Sequence, residues 1–579
     1  MERTHFNGRL SELNVNEEVT LVGWVHKWRN LGSIMFIDLR DTTGIVQIMV
    51  NTEEVKIPDV RNEYVIQVKG KVALKEVENK KLKTGKIEIV ASSIKVINIA
   101  SQTPLIIDDN TDALEDTRIK YRYLDLRRPC MQEMLRIRAK IVKAVHEYLD
   151  ANDFLEVETP LLCLSTPEGA RDYLVPSRIH KGHFYALPQS PQIYKQLLMI
   201  GGLERYYQIA RCFRDEDLRA DRQPDFTQID IETSFLDQDQ FLTLMEGLMA
   251  KIMKDVKGID IELPLRRMEY DEAVNVYGSD KPDTRFGMHL IDIKDIFFLN
   301  SEFEAFKTAK SVKCIVVENI ADKTSRKVID ALNMEARKFN LKGVTVLKVE
   351  NNELTGSFTK YLNEKETSAL KERLCLKNND IVIIAASDSN RDVCFGLGAM
   401  RSNYAKELGL IKPDTYDLLW VVHWPLFEYS EKEGRYVSNH HPFTRPCDED
   451  VKYLDSDLSK VYAQAYDIVF NGYEAGGGSL RIYDGKVQKK IFEILGLTEE
   501  DIQNKFGTFI QAFNYGTPPH GGMAFGLDRL AMILAGTTNI RDVIAFPKNL
   551  SAVCPMLNAP QPVDEQQLKD LHIEISKED

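Results

Sequence analysis

No stretch of this 579-residue chain approaches the ~18 consecutive apolar residues that a membrane-spanning helix needs. Its first ten residues, MERTHFNGRL, lack the apolar core of a secretory signal. Cysteine is sparse and scattered: no two of the eight stand at a CxxC spacing, so neither a zinc motif nor a disulfide framework is expected. Internal repeats and low-complexity tracts are lacking as well. A surplus of positive charge is also missing, since 75 Lys and Arg face 88 Asp and Glu for a net charge of −13, which on its own argues weakly against a nucleic-acid partner. What remains is an ordinary globular composition, 43% hydrophobic and 28% charged, in a chain long enough for about three to four domains. A cytoplasmic, membrane-free protein is expected.

The charge is uneven. The first 100 residues hold 15 Lys and Arg against 13 Asp and Glu, so the acidity lies in the remainder. This segment also has its own rhythm, with short alternating or β-branched runs at 19–25, 34–39, 45–50, 64–72 and 87–90 separated by turn residues. Five strands in about 90 residues predict a small closed barrel of the OB type. Residues 101–130 read as a connector ending in a charged run at 121–129. A helix follows whose Met134, Ile137, Ile141, Val145 and Tyr148 share one face, running into an extended segment that stops at Pro160. Between 286 and 411 helical and strand-like patterns alternate, which predicts an α+β domain inserted into a larger one. The final third returns to strands and Gly-rich turns, with a helix from Leu527 to about Ala535.

Three clusters carry chemistry. The first is the Arg-rich run 211–226, which joins two strand patterns and would place guanidinium forks at one end of a sheet, where they match phosphate oxygens. The alternative is a solvated loop whose Arg and Asp pair with one another. The second is Glu474-Ala-Gly-Gly-Gly-Ser-Leu-Arg481, in which three glycines would let a ligand approach the backbone between a carboxylate and an arginine. With Asp467 upstream, Glu474 offers a hard cation two carboxylates. The third is Gly526-Leu527-Asp528-Arg529, where an Arg at a helix start can meet a phosphate.

Together these strings resemble motifs 2 and 3 of the class II aminoacyl-tRNA synthetases, and the helix–strand ending at Pro160 resembles motif 1, the dimer element. The barrel points to subclass IIb. The strings Thr166-Pro-Glu168-Gly-Ala-Arg171, Gln189-Ser-Pro-Gln192-Ile-Tyr-Lys195-Gln196, Arg219-Ala-Asp-Arg-Gln-Pro-Asp-Phe-Thr-Gln-Ile-Asp230 and His440-His441-Pro-Phe-Thr resemble the bacterial-type aspartyl enzymes of that subclass. The resemblance implies a multidomain α+β fold. An anticodon-binding OB barrel would occupy 1–103 and a hinge 104–130. A class II antiparallel-sheet catalytic domain, flanked by helices, would be split between 131–285 and 412–560. An inserted α+β domain would occupy 286–411 and a tail 561–579.

It also implies a reaction: aspartate attacks the α-phosphorus of ATP, and the adenylate passes its aspartyl group to the 3′ end of tRNA-Asp. By resemblance, Arg214, Glu216 and Arg529 are catalytic. Asp215, Gln223, Phe226, Glu474, Gly526, Leu527 and Asp528 complete the ATP site with them, and Asp467 and Glu474 hold Mg²⁺. Aspartate would be bound by Glu168 on a closing loop, Gln192, Lys195, Arg214, Asp230, His440 and Arg481, with Lys195 and Arg481 on its side chain. Arg29, Phe36, Gln47 and Glu88 would contact the anticodon, although Phe36 could equally fill the barrel core and Gln47 be a plain surface residue. Leu31 and Lys83 lean toward discrimination against tRNA-Asn; a non-discriminating enzyme is the alternative. Asparaginyl and lysyl enzymes are disfavoured by the Arg481/Lys195 pair. An inactive RNA-binding paralogue is disfavoured because Arg214, Glu216, Glu474, Arg481 and Arg529 are all present. A homodimer is expected from motif 1.

Overall fold

The computed structural model describes residues 2–165, 170–297, 301–431 and 433–576. It divides into two compact units: residues 1–139, 218–223 and 539–563 in one, and 140–217, 224–538 and 564–579 in the other.

The first unit begins with a closed five-stranded barrel made of Glu18–Asn30, Ile34–Asp41, Gly44–Asn51, Val65–Leu74 and Ile87–Asn98. The last strand inserts between the third and fourth, parallel to the third through Ile48 and Ile89. Period-two alternation builds the core: Met35, Ile37 and Leu39 point inward with Val46, Ile48 and Val50 from the next strand. Several strands run past their sequence-predicted ends. In the fifth, Ile94 to Asn98 extend the pairing with Val65–Val68 beyond a bulge, although ASSIKVIN carries no clean alternation.

Within the connector 101–130, the charged run 121–129 is structured. Short helices at Glu115–Lys120 and Arg122–Asp125 bury it. Asp125 accepts from Arg118 at 3.1 Å, Arg122 at 2.8 Å and Arg128 at 2.7 Å. Burial alone would raise its carboxyl, but the Arg118 and Arg128 hydrogen bonds outweigh it and hold the group below the usual value. Arg122 also donates to the carbonyls of Arg541, Ile544 and Ala545, which pins the returning 539–563 segment within this unit.

The second unit is built on an eight-stranded sheet. Its order is Arg266–Glu269, Leu418–Pro425, Tyr462–Phe470, Tyr473–Leu480, His520–Gly526, Asp225–Ser234, Arg205–Phe213, Leu155–Glu156. Pairing is antiparallel throughout except at the two ends, where the Arg266 and Leu155 strands run parallel to their neighbours. Helices Gln238–Lys257 and Leu527–Ala535 present mostly buried apolar side chains. The first starts at an Asp237–Gln240 capping box and ends on Gly258 in the left-handed region, which glycine adopts without a Cβ clash.

Between the fourth and fifth sequence strands of this sheet lies a separate five-stranded antiparallel sheet, ordered Ile291–Asp292, Ser311–Val317, Ile381–Ser387, Thr345–Glu350, Glu353–Thr355. Its two faces carry separate cores. Ile315, Ile381 and Ile383 pack with Leu332, Val393 and Leu397; Val312, Val382 and Ile384 pack with Phe297, Phe306 and Phe358. Among the described residues no helix is long and apolar enough to cross a membrane.

Candidate active site

The cleft of the second unit has its floor in strand register. One cross-strand row runs Asp467, Gly477, Ala524, Asp230, and the next on the same face runs Ala465, Ser479, Gly522, Glu232. Small residues in the middle of both rows leave a depression that the outer carboxylates overhang. The result is a cavity of about 400 Å³ lined by, among others, Gln192, Lys195, Arg214, Glu216, His440, His441, Asp467, Glu474 and Arg481. Eight of the residues singled out in the sequence therefore meet at one place.

The glycines have a cause beyond the one expected. A Cβ on Gly477 would stand 2.4 Å from the Asp467 carboxylate, and one on Gly522 would stand 2.1 Å from that of Glu232. At both positions a side chain of the same sheet leaves no room for a Cβ, while Gly477 and Gly478 also line the cavity.

At the centre is Arg481, 2% exposed. Its Nε and one terminal nitrogen donate to the two oxygens of Glu232 at 2.9 and 3.1 Å, a bidentate fork. The same nitrogen donates to the Gly522 carbonyl at 3.1 Å, and the other to Ser479 Oγ at 2.8 Å and His441 Nε2 at 2.5 Å. Lys195 enters from the helix Gln192–Ile200, one turn after Gln192. Its Nζ lies 2.7 Å from Asp230 and 3.3 Å from Glu232. Glu232 is the keystone: burial alone would raise its carboxyl, but Arg481 and Lys195 overcome that and hold it below the usual range. For Asp230 the balance tips the other way, with burial raising it despite Lys195.

Sequence reasoning passed over Glu232, His441 and Ser479. Period two signals Glu232, since Gln228, Asp230 and Glu232 alternate onto one face of the strand Asp225–Ser234. His441 adjoins the His440 that was chosen. The structure puts His441, rather than His440, on Arg481. Burial first, then the Arg481 charge, holds His440 down to about 4 and His441 well below 6.5.

These shifts set an acid limit. In the unfolded chain both imidazoles titrate near 6.5; in the fold they stay neutral until much lower pH. Between these values the unfolded state binds more protons, so stability falls as pH drops from 6.5 toward 4. Denaturant midpoints across that window are expected to shift for the wild type and to flatten in a His440→Gln/His441→Gln variant. A wild-type midpoint independent of pH there would contradict the assignment.

The remaining residues fall around the cleft or outside it. The guanidinium of Arg214 lies 5.2 Å over the Phe226 ring. Arg211, by contrast, pairs with Asp225 at 2.6 Å and with Thr227 at 3.0 Å, so part of the Arg-rich run is spent internally. Arg529 donates to the Glu474 carbonyl at 2.6 Å, with the Glu474 carboxylate 3.9 Å away. Asp528 is buried and its carboxylate accepts the Thr227 amide at 2.8 Å, which ties the helix start to the sheet. Leu527 is buried as well, and Gly526 is the helix N-cap. Asp215 pairs through its backbone with Arg171. Gln223 belongs to the other unit, where its amide is bonded in both directions to the Lys548 backbone. Glu168 lies outside the described residues.

Polar atoms without partners mark where a ligand fits. Gln192 Nε2, Arg214 Nε and His440 Nε2 are buried with no hydrogen-bond partner among the described residues. Such atoms are costly unless something bound satisfies them. Asp467 is raised well above the carboxylate range by burial and then by the neighbouring carboxylates of Glu474 and Asp280.

In the barrel, Arg29 stands opposite Phe36, and Asp38 opposite Gln47. The inward set is Met35, Ile37 and Leu39, so Phe36 is on the outer face and is not core. Glu88 lies between inward-pointing Ile87 and Ile89, and burial pushes its carboxyl up. Leu31 and Lys83 are exposed.

Comparison with known proteins agrees with this geometry. Residues 114–550 match the class II tRNA synthetases of the D, K and N type, and residues 19–97 match an OB-fold nucleic acid binding domain. The chain is 54% identical to an aspartate–tRNA(Asp/Asn) ligase of Geobacillus sp. (strain WCH70), covering 100% of this chain and 98% of that protein. It is 53% identical to an aspartate–tRNA ligase of Geobacillus kaustophilus, covering 99% of each. Among solved structures, the asparaginyl-tRNA synthetase of Pyrococcus horikoshii complexed with asparaginyl-adenylate superposes with a TM-score of 0.60 at 19% identity, over 94% of this chain and 98% of that one. That likeness speaks for the fold. With this cleft, this barrel and a match across most of its length, the chain belongs to the class II tRNA synthetases of the D, K and N group.

Proposed function

We propose that this protein attaches L-aspartate to tRNA by way of an aspartyl-adenylate formed from ATP. The observation that carries the reading is the buried Arg481 fork, fixed by Glu232 at the floor of the cleft with Lys195 beside it. Two immobile cations at the bottom of a small cavity suit a substrate whose side chain ends in a carboxylate. Full-length relatives named as aspartate–tRNA ligases support the same substrate.

The division of labour follows from the residues. Every Arg481 donor is engaged in the ligand-free cleft, so an incoming carboxylate takes the place of neutral His441 on the outward nitrogen. Asp230 and Gln192 lie near enough to Lys195 to bracket the amino and carboxyl groups. Arg214, with its unsatisfied Nε, meets the α-phosphate where charge builds during attack. Arg529 meets the terminal phosphate, and Phe226 supports the adenine. Catalysis then rests on positioning and charge stabilisation, with no covalent enzyme intermediate.

Mg²⁺ fits the donor set of Asp467 and Glu474, which is all oxygen. When bound there it would neutralise phosphate charge. Arg529→Ala is expected to raise the KM for ATP in pyrophosphate exchange by roughly ten- to a hundredfold, the worth of a charged hydrogen bond. An unchanged KM would remove Arg529 from the ATP site.

Arg29, Phe36 and Gln47 on the barrel's outer face suit unpaired bases, through stacking and edge contacts. A homodimer is supported by exposed Leu155 on the edge strand that follows the long helix Pro129–Ala151, and by exposed Leu161, Leu162 and Leu164 in the segment after it. For the tRNA itself two readings stand. Exposed Leu31 favours tRNA-Asp alone, whereas relatives named for tRNA(Asp/Asn) favour both. Aminoacylation of purified tRNA-Asp and tRNA-Asn side by side tests the function and decides between them: aspartyl transfer to neither would overturn the proposal.

A further inference from the structure

Away from the cleft, a thiol, an imidazole and a carboxylate converge. We propose that His423, Cys447 and Asp450 bind a single zinc-class divalent cation, separate from the oxygen-only site of Asp467 and Glu474. Their donor atoms all lie within 4.8 Å of one another, a spacing one ion can bridge.

The fold builds this convergence from both sides. In the strand Leu418–Pro425 the register slips between Val422 and Trp424, and His423 takes a φ of +58°, a left-handed conformation that a residue with a Cβ seldom adopts. The slip removes His423 from the strand alternation. Facing it, Cys447 caps the short helical turn Asp448–Tyr453, and the Asp450 amide bonds back to the Cys447 carbonyl at 3.0 Å. The strand Tyr462–Phe470 holds both: the Cys447 amide donates to the Tyr462 carbonyl at 2.8 Å, and the Tyr462 amide donates to Asp450 Oδ2 at 3.0 Å. That contact orients the carboxylate, and a carboxylate oxygen keeps lone pairs for a cation. The His423 ring packs against Tyr462 with centroids 4.4 Å apart.

Glu269 lies 2.9 Å from His423 Nδ1, the carboxylate partner that fixes the tautomer of a metal-ligating imidazole and raises its basicity. A mixed sulfur, nitrogen and oxygen set selects Zn²⁺ over Mg²⁺, and three protein donors leave a fourth tetrahedral position to water. His423, 43% exposed, puts that position on the solvent side. Binding replaces the Cys447 S–H proton with a metal–sulfur bond and releases the proton to water. The ion would clamp the segment that follows His440 and His441 to the strand Leu418–Pro425.

The probe is Co²⁺, added to the chelator-treated full-length protein in excess Mg²⁺. One equivalent is expected to bind with a thiolate-to-cobalt charge-transfer band that Zn²⁺ abolishes by competition. Cys447→Ser should lose the band; His423→Gln, at an exposed position, and Glu269→Gln should each weaken binding roughly tenfold or more while the far-ultraviolet dichroism stays that of the wild type. Absence of the band from the wild type, or its persistence at undiminished affinity in Cys447→Ser or His423→Gln, would overturn the site.

Discussion

Arg481→Leu is expected to reduce aspartate-dependent pyrophosphate exchange by roughly 10³-fold or more, the scale on which a site built around a buried polar partner rejects its loss. All five guanidinium donors of Arg481 are placed, two of them on Glu232 and one on the nitrogen that His441 shares with the cavity. Leucine offers neither the charge nor the fork. Arg481→Lys is expected to recover little, because an ammonium restores the charge without the planar bidentate geometry. ATP binding should survive, since Arg214, Glu474 and Arg529 are untouched. Near-normal exchange with aspartate in Arg481→Leu would remove this residue from the substrate pocket.

The second large effect is on the fold. Glu232→Gln is expected to lower the unfolding free energy by about 3–5 kcal/mol, the penalty for removing one member of a buried ion cluster. Glu232 neutralises both Arg481 and Lys195 and is 0% exposed. Lys195 keeps Asp230, so the loss falls mainly on Arg481. Combining Glu232→Gln with Arg481→Leu should return part of the stability, because neither charge is then left alone, while activity stays lost. This double-mutant cycle separates unfolding from loss of function. Additive losses in the cycle would mean that the two residues do not depend on each other.

The sequence was informative where one periodicity ruled a segment. The barrel strands follow from alternation, and the helix Leu527–Ala535 begins and ends where its Gly breaks place it. The helix Asn390–Glu407 was not read from sequence although Val393, Leu397, Met400 and Tyr404 form its buried stripe, because Gly396, Gly398 and the buried Arg401 interrupt that pattern. The buried charges of 121–129 were read as a connector, since their partners at 541–545 lie more than 400 residues away. In the cleft, the residues of the recurring strings were found by type, but their roles depend on register. Glu232 is a keystone because Gly522 stands opposite it, and Asp528 is a tie because the Thr227 amide faces it. Phe36 was ambiguous in sequence, and the inward set of its own strand resolves it to the outer face.

The global acidity, which argued against a nucleic-acid partner, averages over parts with different work. The barrel's segment is slightly basic, and arginines Arg214 and Arg481 line the cleft.

The central claim is that the Arg481–Glu232–Lys195 cluster selects a carboxylate side chain. An amino-acid panel in ATP–pyrophosphate exchange tests it most directly. The account predicts exchange with aspartate and background rates with asparagine and lysine. Exchange with asparagine or lysine equal to that with aspartate would contradict it.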